Sequence, residues 1–207
     1  MTRIGIIGMA SALLAASAGF ALANSSVYTD LDLKQCETIS QDPDGGVLKC
    51  GGYEDYPVYF KEGDLRQSML YGPAAEDMLS EAFESFGTFN HVNTKIEWRL
   101  DAAGKPVAAI HRWFIDNVDE TGATTPKTAG QVLVISHVAS DPADGVSCVV
   151  GYVDALANKD ANEIARKVAD EEALDFACGY QEPFWHGERG EKAGEPMRHL
   201  PERLKVE

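Results

Sequence analysis

Alternation of apolar and charged positions marks the clearest strand of the chain. At residues 95–100, Ile96, Trp98 and Leu100 fall on one face of an extended segment and three charged side chains fall on the other, which is typical of a half-buried strand. Apolar or aromatic runs bounded by Gly, Pro and Asp turns predict the other strands. These runs cover residues 28–39, 47–53, 57–61, 65–71, 107–118, 131–138 and 148–153.

Two segments change to a helical period. At residues 75–86 the apolar positions recur every three or four residues, between Pro73 and Gly87, which suit the first helical turn and the position just past a helix end. Residues 156–173 form a second amphipathic segment, with Ala165 and Val168 on its apolar face. The pattern therefore predicts one helix in the middle of the chain and one closer to its C-terminal end.

Turns rather than helices join most of the predicted strands, so the predicted fold class is α+β. We expect a single domain over residues 24–178, with one mainly antiparallel β-sheet of about six or seven strands and a C-terminal amphipathic helix packed on one face. Residues 179–207 contain four Gly, three Pro and eleven charged residues. Because this segment has so little apolar surface to bury, it is predicted to be a mobile charged tail.

Residues 1–23 have the features of a secretory signal peptide. Arg3 is followed by an uncharged run rich in Ala and Gly that ends in Ala21-Leu22-Ala23, and small residues at these positions are typical of a cleavage site. A membrane-spanning anchor is the alternative, since the run is about 20 residues long. We expect cleavage after Ala23 and a periplasmic or secreted protein that has no membrane attachment after cleavage.

Cys36, Cys50, Cys148 and Cys178 form an even set in a chain that is predicted to be exported. Such a set indicates disulfides, and four cysteines allow three pairings. The short sequence separations favour Cys36–Cys50, which flank an Asp-Pro-Asp-Gly-Gly turn signal, and Cys148–Cys178. The chain has no Cys or His spacing typical of a zinc site, and neither a metal nor another cofactor is predicted.

Acidic residues outnumber basic residues by 33 to 18, which gives a formal net charge of −15. Removal of the signal peptide would also remove Arg3 and change this charge to −16. The balance argues against nucleic acid as a partner, since phosphate contacts need a basic surface, and against anionic lipid. We expect a macromolecular partner to be a cationic protein that is steered by the charge, with a purely solubilising role as the alternative.

Few residues stand out as chemical candidates, and no catalytic residue is assigned because no nucleophile or base has the spacing of a catalytic motif. His111 and His137 lie on strands that are predicted to be neighbours, so they are candidates for a shared binding site. Arg66, Arg99 and Arg112 fall on three separate strands. They are predicted either to line a cleft together or to pair with carboxylates on a solvated face.

Close pairs of acidic residues occur at several turns of the chain. Asp42 and Asp44 lie in one predicted turn, and Glu62 and Asp64 lie in another. The first turn lacks the remaining ligand positions of a calcium-binding loop. We attribute these pairs to the abundance of acidic residues.

Five stretches carry a family resemblance: residues 28–32 (YTDLD) with Cys36, 62–66 (EGDLR), Phe89-Asn90, 96–100 (IEWRL) and 154–162 (DALANKDAN). Together they resemble a group of exported alphaproteobacterial proteins with no known activity. The resemblance covers most of residues 28–178. It implies periplasmic export and assigns no functional residue.

Two classes of function remain open on the sequence. The expected one is a non-catalytic binding or interaction module with an acidic surface, and the alternative is a periplasmic hydrolase of unknown substrate. A cleft that contained His111, His137 and a carboxylate with a shifted pKa would favour the hydrolase. A filled core and an acidic face would favour the binding module.

Overall fold

The computed structural model describes residues 25–205, in which most neighbouring strands run antiparallel. The predicted signal peptide lies outside these residues. The described elements, in chain order, are β1 Ser25–Asp30, β2 Glu37–Asp42, β3 Gly45–Tyr53, β4 Tyr56–Gly63, β5 Arg66–Tyr71, α1 Glu76–Ser80, β6 Phe83–Phe86, β7 Asn90–Leu100, β8 Pro106–Ile115, β9 Gly130–His137, β10 Val149–Asp154, α2 Ala161–Glu172, β11 Phe184–Trp185 and β12 Pro196–His199. Three short 3₁₀ turns, Leu33–Gln35, Glu191–Ala193 and Glu202–Leu204, complete the regular structure.

The strands are divided among three sheets, which we call sheets A, B and C. Sheet A has the order β1-β7-β8-β9-β10-β11, and only its last pair is parallel. Sheet B has the order β2-β3-β4-β5, and sheet C pairs β6 with β12. The predominance of antiparallel strands over helices agrees with the predicted α+β class, whereas the expected single sheet is replaced by three.

The hairpin of β7 and β8 lies inside sheet A, between β1 and β9. Ile96, Trp98 and Leu100 are all buried on one face of β7, as their alternation predicts. The turn between the two strands is stabilised by Asp101, whose Oδ1 accepts hydrogen bonds from the backbone N–H groups of Ala103 and Lys105. A carboxylate that accepts two backbone hydrogen bonds in this way holds a tight turn together.

The main hydrophobic core lies between sheets A and B and is rich in aromatic side chains. Tyr71 of β5 meets Trp98 of β7 edge to face, with ring centroids 5.8 Å apart. Phe86 of β6 makes similar contacts with Trp113 of β8 and with Tyr152 of β10. Because aromatic rings bury large areas and favour this geometry, they account for much of the packing of sheet A against sheets B and C.

A second core lies between helix α2 and the other face of sheet A. Small side chains of the helix, among them Ala165 and Ala169, are fully buried there, so the helix axis can approach the sheet closely. The helix also covers Glu97 and Arg99, which the alternation of β7 places on the solvent side. Each of these two charges has a counter-charge on the helix, because Glu97 pairs with Arg166 and Arg99 pairs with Asp170.

The helix predicted over residues 75–86 is wrong in its second half. Helix α1 ends at Ser80, and Phe83–Phe86 form strand β6. The buried side chain of Lys61 donates hydrogen bonds to the carbonyls of Met78 and Ala82, which ends the helix there. The apolar residues that fit one helical period are therefore divided between α1 and β6. Met78 of α1 and Phe86 of β6 are buried in different clusters of the core.

Residues 179–205, which the sequence predicts to be a mobile tail, pack onto the domain. Strand β11 pairs with β10, and strand β12 pairs with β6. Ala193 is fully buried, and Leu200 is buried against Tyr59 and Leu70. The prediction rested on the polar composition of the segment, and it missed contacts that are made by a few residues with partners far away in the sequence.

Both predicted disulfides are present. Cys36–Cys50 joins the start of β2 to β3, and Cys148–Cys178 joins the start of β10 to the segment after α2. Within residues 25–205, no helix combines the length and apolar character that crossing a membrane requires.

Candidate functional site

His111 is fully buried between sheets A and B, and both of its ring nitrogens have protein partners. Nδ1 lies 2.9 Å from the hydroxyl of Tyr71, and Nε2 lies 2.6 Å from the carbonyl oxygen of Asn93. Because a carbonyl only accepts, Nε2 carries the proton and Nδ1 accepts from Tyr71. Burial lowers the pKa of His111 to about 4, so the ring is neutral at pH 7 and serves to join the two sheets.

His137 lies on the opposite face of sheet A. In the register of β8 and β9, His137 is paired with Ala108 and His111 with Val134, so the two histidines stand three positions apart and point to different sides. The Nδ1 atom of His137 lies 2.7 Å from the carbonyl oxygen of Ala173, at the end of α2. The structure therefore does not bring the two predicted histidines into one site.

Arg99 and Arg112 both lie on the face of sheet A that carries α2, and they have different partners. Arg99 donates from Nε and Nη2 to the two carboxylate oxygens of Asp170, at 2.8 and 2.6 Å. Arg112 donates to the side-chain oxygen of Gln131 at 3.1 Å, and its partial burial lowers its pKa. Both arginines are thus held by residues of the same domain.

Arg66 is the third predicted arginine, and it lies at the start of β5 in sheet B. Its guanidinium donates to Asp64 at 2.6 Å and stacks over the ring of Phe89, 4.9 Å from the centroid. It is therefore separated from Arg99 and Arg112 by the core. The structure does not assemble the three arginines into a common cleft.

A buried carboxylate that the sequence does not single out is Glu84 of β6. It is almost completely buried, beside Arg198, and its Oε2 accepts the backbone N–H of Val149. Burial raises the pKa of Glu84 to about 7 although Arg198 opposes the shift. Within residues 25–205, no three His, Cys, Asp or Glu side chains are grouped in a way that could hold a metal ion.

A cleft of about 650 Å³ opens at one end of sheet B. It lies where the β2–β3 turn and the β4–β5 turn are side by side. Gly45 is paired with Gly63, and the backbone N–H of Asp64 donates to the carbonyl of Asp44 at 3.1 Å. A Cβ atom on Gly45 would lie only 1.8 Å from the carbonyl oxygen of Glu62, so a glycine is required for this close approach.

The floor of the cleft belongs to the core-facing side of sheet B. Thr38, Leu48, Phe60 and Met69 form one cross-strand row. Phe60 and Met69 belong to the core between the sheets, whereas Leu48 is half-buried and Thr38 is exposed. The cleft is therefore the part of this face that sheet A leaves uncovered, towards β2.

The rim of the cleft is acidic. Among the residues that the structure describes, its lining includes four carboxylates and no Lys, Arg or His side chain. One of the four, Asp64, pairs with Arg66, which lies outside the lining. We call this cavity the acidic cleft; its carboxylates are Asp42, Asp44, Glu62 and Asp64.

Two exposed leucines stand at the mouth of the acidic cleft. Leu33 comes from the 3₁₀ turn before β2, and Leu65 comes from the β4–β5 turn. Leu65 is 62% exposed and has a φ of 59°, a left-handed conformation that costs free energy for a leucine. The turn thus presents an apolar side chain to solvent in a conformation that Asn or Gly would adopt more readily.

The acidic cleft could not be recognised from the sequence, although its turns could. Asp42, Asp44, Glu62 and Asp64 stand in turns that the pattern predicts. Their convergence depends on the register of β3 against β4, which pairs Gly45 with Gly63. No local pattern in the chain contains this register, and for this reason the acidic pairs look accidental in the sequence.

Comparison of the chain with protein-family models, with curated proteins and with solved structures found no significant match in any of the three. The resemblance to exported alphaproteobacterial proteins therefore stays a prediction. The geometry of the acidic cleft is the observation that bears most directly on function.

Proposed function

We propose that the protein is an exported binding protein, periplasmic or secreted, that acts without catalysis and binds a cationic partner at the acidic cleft. The observation that carries this proposal is the lining of the cleft, where four carboxylates surround the apolar side chains of Leu48 and Phe60. Such a lining is complementary to a ligand that combines positive charge with apolar surface.

The distribution of charge supports the proposal. Residues 37–65, which include β2, β3 and β4, contain seven acidic and two basic residues. One of the two basic residues, Lys61, is buried on the other face of sheet B, where it donates to the carbonyl of Met78. Acidic residues therefore remain in excess at this end of the sheet although Arg66 pairs with Asp64, and this excess favours the encounter with a basic protein.

The compartment in the proposal rests on two observations. The predicted signal peptide ends at Ala23, and two disulfides are compatible with an oxidising environment. We expect N-terminal sequencing of the exported protein to begin at Asn24 and cell fractionation to recover it in the soluble envelope fraction. An intact Met1 in the membrane pellet would contradict this part of the proposal.

Binding to a panel of basic and acidic proteins of similar size tests the choice of partner. At about 20 mM salt we expect basic proteins to bind, and at about 300 mM the binding should weaken because the Debye length is shorter. A preference for acidic proteins, or no binding to any basic one, would refute the electrostatic part. Turnover of a substrate by the purified protein would refute the non-catalytic part.

A pair of charge-matched variants localises the binding. The triple variant Asp42→Asn, Asp44→Asn, Glu62→Gln removes carboxylates of the acidic cleft and leaves the Asp64–Arg66 pair intact. The control variant makes the same change in net charge at exposed positions elsewhere, with Glu120→Gln, Glu163→Gln and Glu171→Gln. We expect the cleft variant to lose roughly tenfold or more in affinity and the control to lose less than about threefold.

A further inference from the structure

We infer that the cationic partner binds as an extended segment that adds a strand to the free edge of β2, an inference that rests on the proposed function of the acidic cleft. β2 is the terminal strand of sheet B and pairs with β3 on one side. All six of its residues are exposed. Such an edge offers backbone N–H and C=O groups to an incoming chain.

The two edges of sheet B differ in their accessibility. On the β5 side, residues of β6 cover the edge: the hydroxyl of Ser85 donates to the carbonyl of Gln67, and Ser68 accepts from the backbone N–H of Glu84. On the β2 side, no strand or loop of residues 25–205 hydrogen-bonds the outer backbone. Among residues 25–205, β2 is therefore the edge of sheet B that is open to an added strand.

The free edge and the acidic cleft adjoin each other. Thr38, Ser40, Gln41 and Asp42 of β2 line the cleft. A strand added to β2 would lie about 4.8 Å from it, and every second side chain would point to the cleft side. Long basic side chains on that side would reach the carboxylates of Asp42 and Asp44 across the strand.

Charge decides between a basic segment and a second copy of this chain. Glu37 and Asp42 are both exposed on β2, so two copies paired edge to edge would bring acidic side chains together, which is unfavourable. The register shift between Thr38 and Ser40 makes Ile39 a bulge residue, and bulges on edge strands also discourage indiscriminate pairing. A basic strand would instead place positive side chains beside Glu37 and Asp42, and these opposite charges attract each other.

Backbone methylation of a peptide tests strand addition directly. The probe is a peptide of about eight residues that alternates Lys and Val, and two further forms carry N-methyl groups on the odd or on the even residues. An added strand hydrogen-bonds its neighbour through every second residue. We expect one methylated form to lose about tenfold or more in affinity and the other to bind within about threefold of the unmodified peptide.

The outcomes separate the two proposals. Equal effects of the two methylation patterns would overturn strand addition while the acidic cleft could still bind the peptide through side chains. No binding of the unmodified peptide, or equal binding of a peptide that alternates Glu and Val, would instead overturn the proposed function of the acidic cleft.

Two lysine substitutions on β2 provide the matched test on the protein side. Gln41→Lys places a positive charge in the lining of the acidic cleft, in the cross-strand row of Glu62, and Ile39→Lys adds the same charge to the same strand at a residue outside the lining. We expect roughly a tenfold loss of peptide affinity for Gln41→Lys and less than about threefold for Ile39→Lys. A wild-type dimer in sedimentation that Gln41→Lys dissociates would assign the edge to a second copy and overturn the inference.

Discussion

The Nε atom of Arg198 lies 2.8 Å from the Oε1 atom of Glu84, and the two side chains are only 13% and 3% exposed. The residues stand directly opposite each other in sheet C, on β12 and β6. The second carboxylate oxygen of Glu84 accepts the backbone N–H of Val149 in sheet A. The ion pair therefore holds β12 against β6 within sheet C. The hydrogen bond from Val149 to Glu84 joins sheet C to sheet A.

Replacing Arg198 tests the contribution of this pair. Arg198→Met leaves the carboxylate of Glu84 buried without its cation, and we expect the free energy of unfolding at pH 8 to fall by about 3–5 kcal/mol. In the double variant with Glu84→Gln, the buried charge is also absent, so the loss should be smaller than in Arg198→Met alone. Urea unfolding followed by tryptophan fluorescence measures both values.

Arg203→Met is the control, because Arg203 pairs with Asp77 in a neighbouring segment and its side chain is 39% exposed. An exposed pair contributes at most about 1 kcal/mol. If Arg198→Met lowered the free energy of unfolding no more than Arg203→Met, burial of the Glu84–Arg198 pair would have no effect on stability.

Protonation of His111 should destabilise the fold in acid. Its pKa is about 4 in the folded protein and 6.5 in the reference state. Between these values the unfolded chain binds a proton that the folded protein does not, so stability falls as the pH is lowered from 6.5 to 4. We expect His111→Gln to be less stable than the wild type and to show a flatter pH dependence in this range; an unchanged slope in urea titrations would rule out His111 as its source.

Titration of Glu84 should change the pH dependence of stability in the direction opposite to that of His111. Burial raises its pKa from 4.5 to about 7, so between these values the folded protein binds a proton that the unfolded chain does not. Its contribution to stability therefore grows as the pH is lowered from 7 to 4.5. Glu84→Gln removes this contribution, and we expect its unfolding free energy to fall more steeply with acid than that of the wild type. A shallower fall would show that the sign is wrong.

We expect Leu65 to lower the stability of the fold and to strengthen binding at the acidic cleft. Asn adopts the left-handed conformation of this turn more readily than Leu, so Leu65→Asn is expected to raise the free energy of unfolding by about 1 kcal/mol. The same change removes an apolar side chain from the mouth of the acidic cleft and should weaken binding of the Lys/Val peptide severalfold. A variant that gained stability and kept full affinity would show that Leu65 does not contact the peptide.

The two disulfides should differ in their contribution to stability. Cys148–Cys178 closes a separation of 30 residues, and Cys36–Cys50 closes one of 14. In the chain-entropy model the longer loop contributes about 0.5–1 kcal/mol more, and Cys148 is also deeply buried. We expect the Cys148→Ser, Cys178→Ser variant to unfold at lower urea concentration than the Cys36→Ser, Cys50→Ser variant, and the reverse order would contradict the model.

Local patterns predicted the parts of the fold that depend on neighbouring residues. The alternation of Ile96, Trp98 and Leu100 identified strand β7 and the face that it buries. The two disulfides followed from short separations around a turn and around a helix–strand unit. In each case the information lies within a few tens of residues.

The errors involve partners that are distant in the sequence. Phe83 and Phe86 fit a helical period, but their segment becomes a strand because β12 pairs with it. Arg198 looks like one of many charges in a polar tail, yet its burial beside Glu84 makes that tail part of the domain. The acidic cleft depends in the same way on the pairing of Gly45 with Gly63.

Sheet C also bears on the order in which the protein folds. Its pairing of Phe83 with His199 closes a loop that contains most of sheet A and all of α2. Closing so long a loop carries a large entropic cost, and contacts between distant residues slow folding. Until β12 arrives, Glu84 lacks its counter-charge, so an intermediate without β12 is penalised for burying that carboxylate. We therefore expect docking of β12 to complete the native state and its release to be the first step of unfolding.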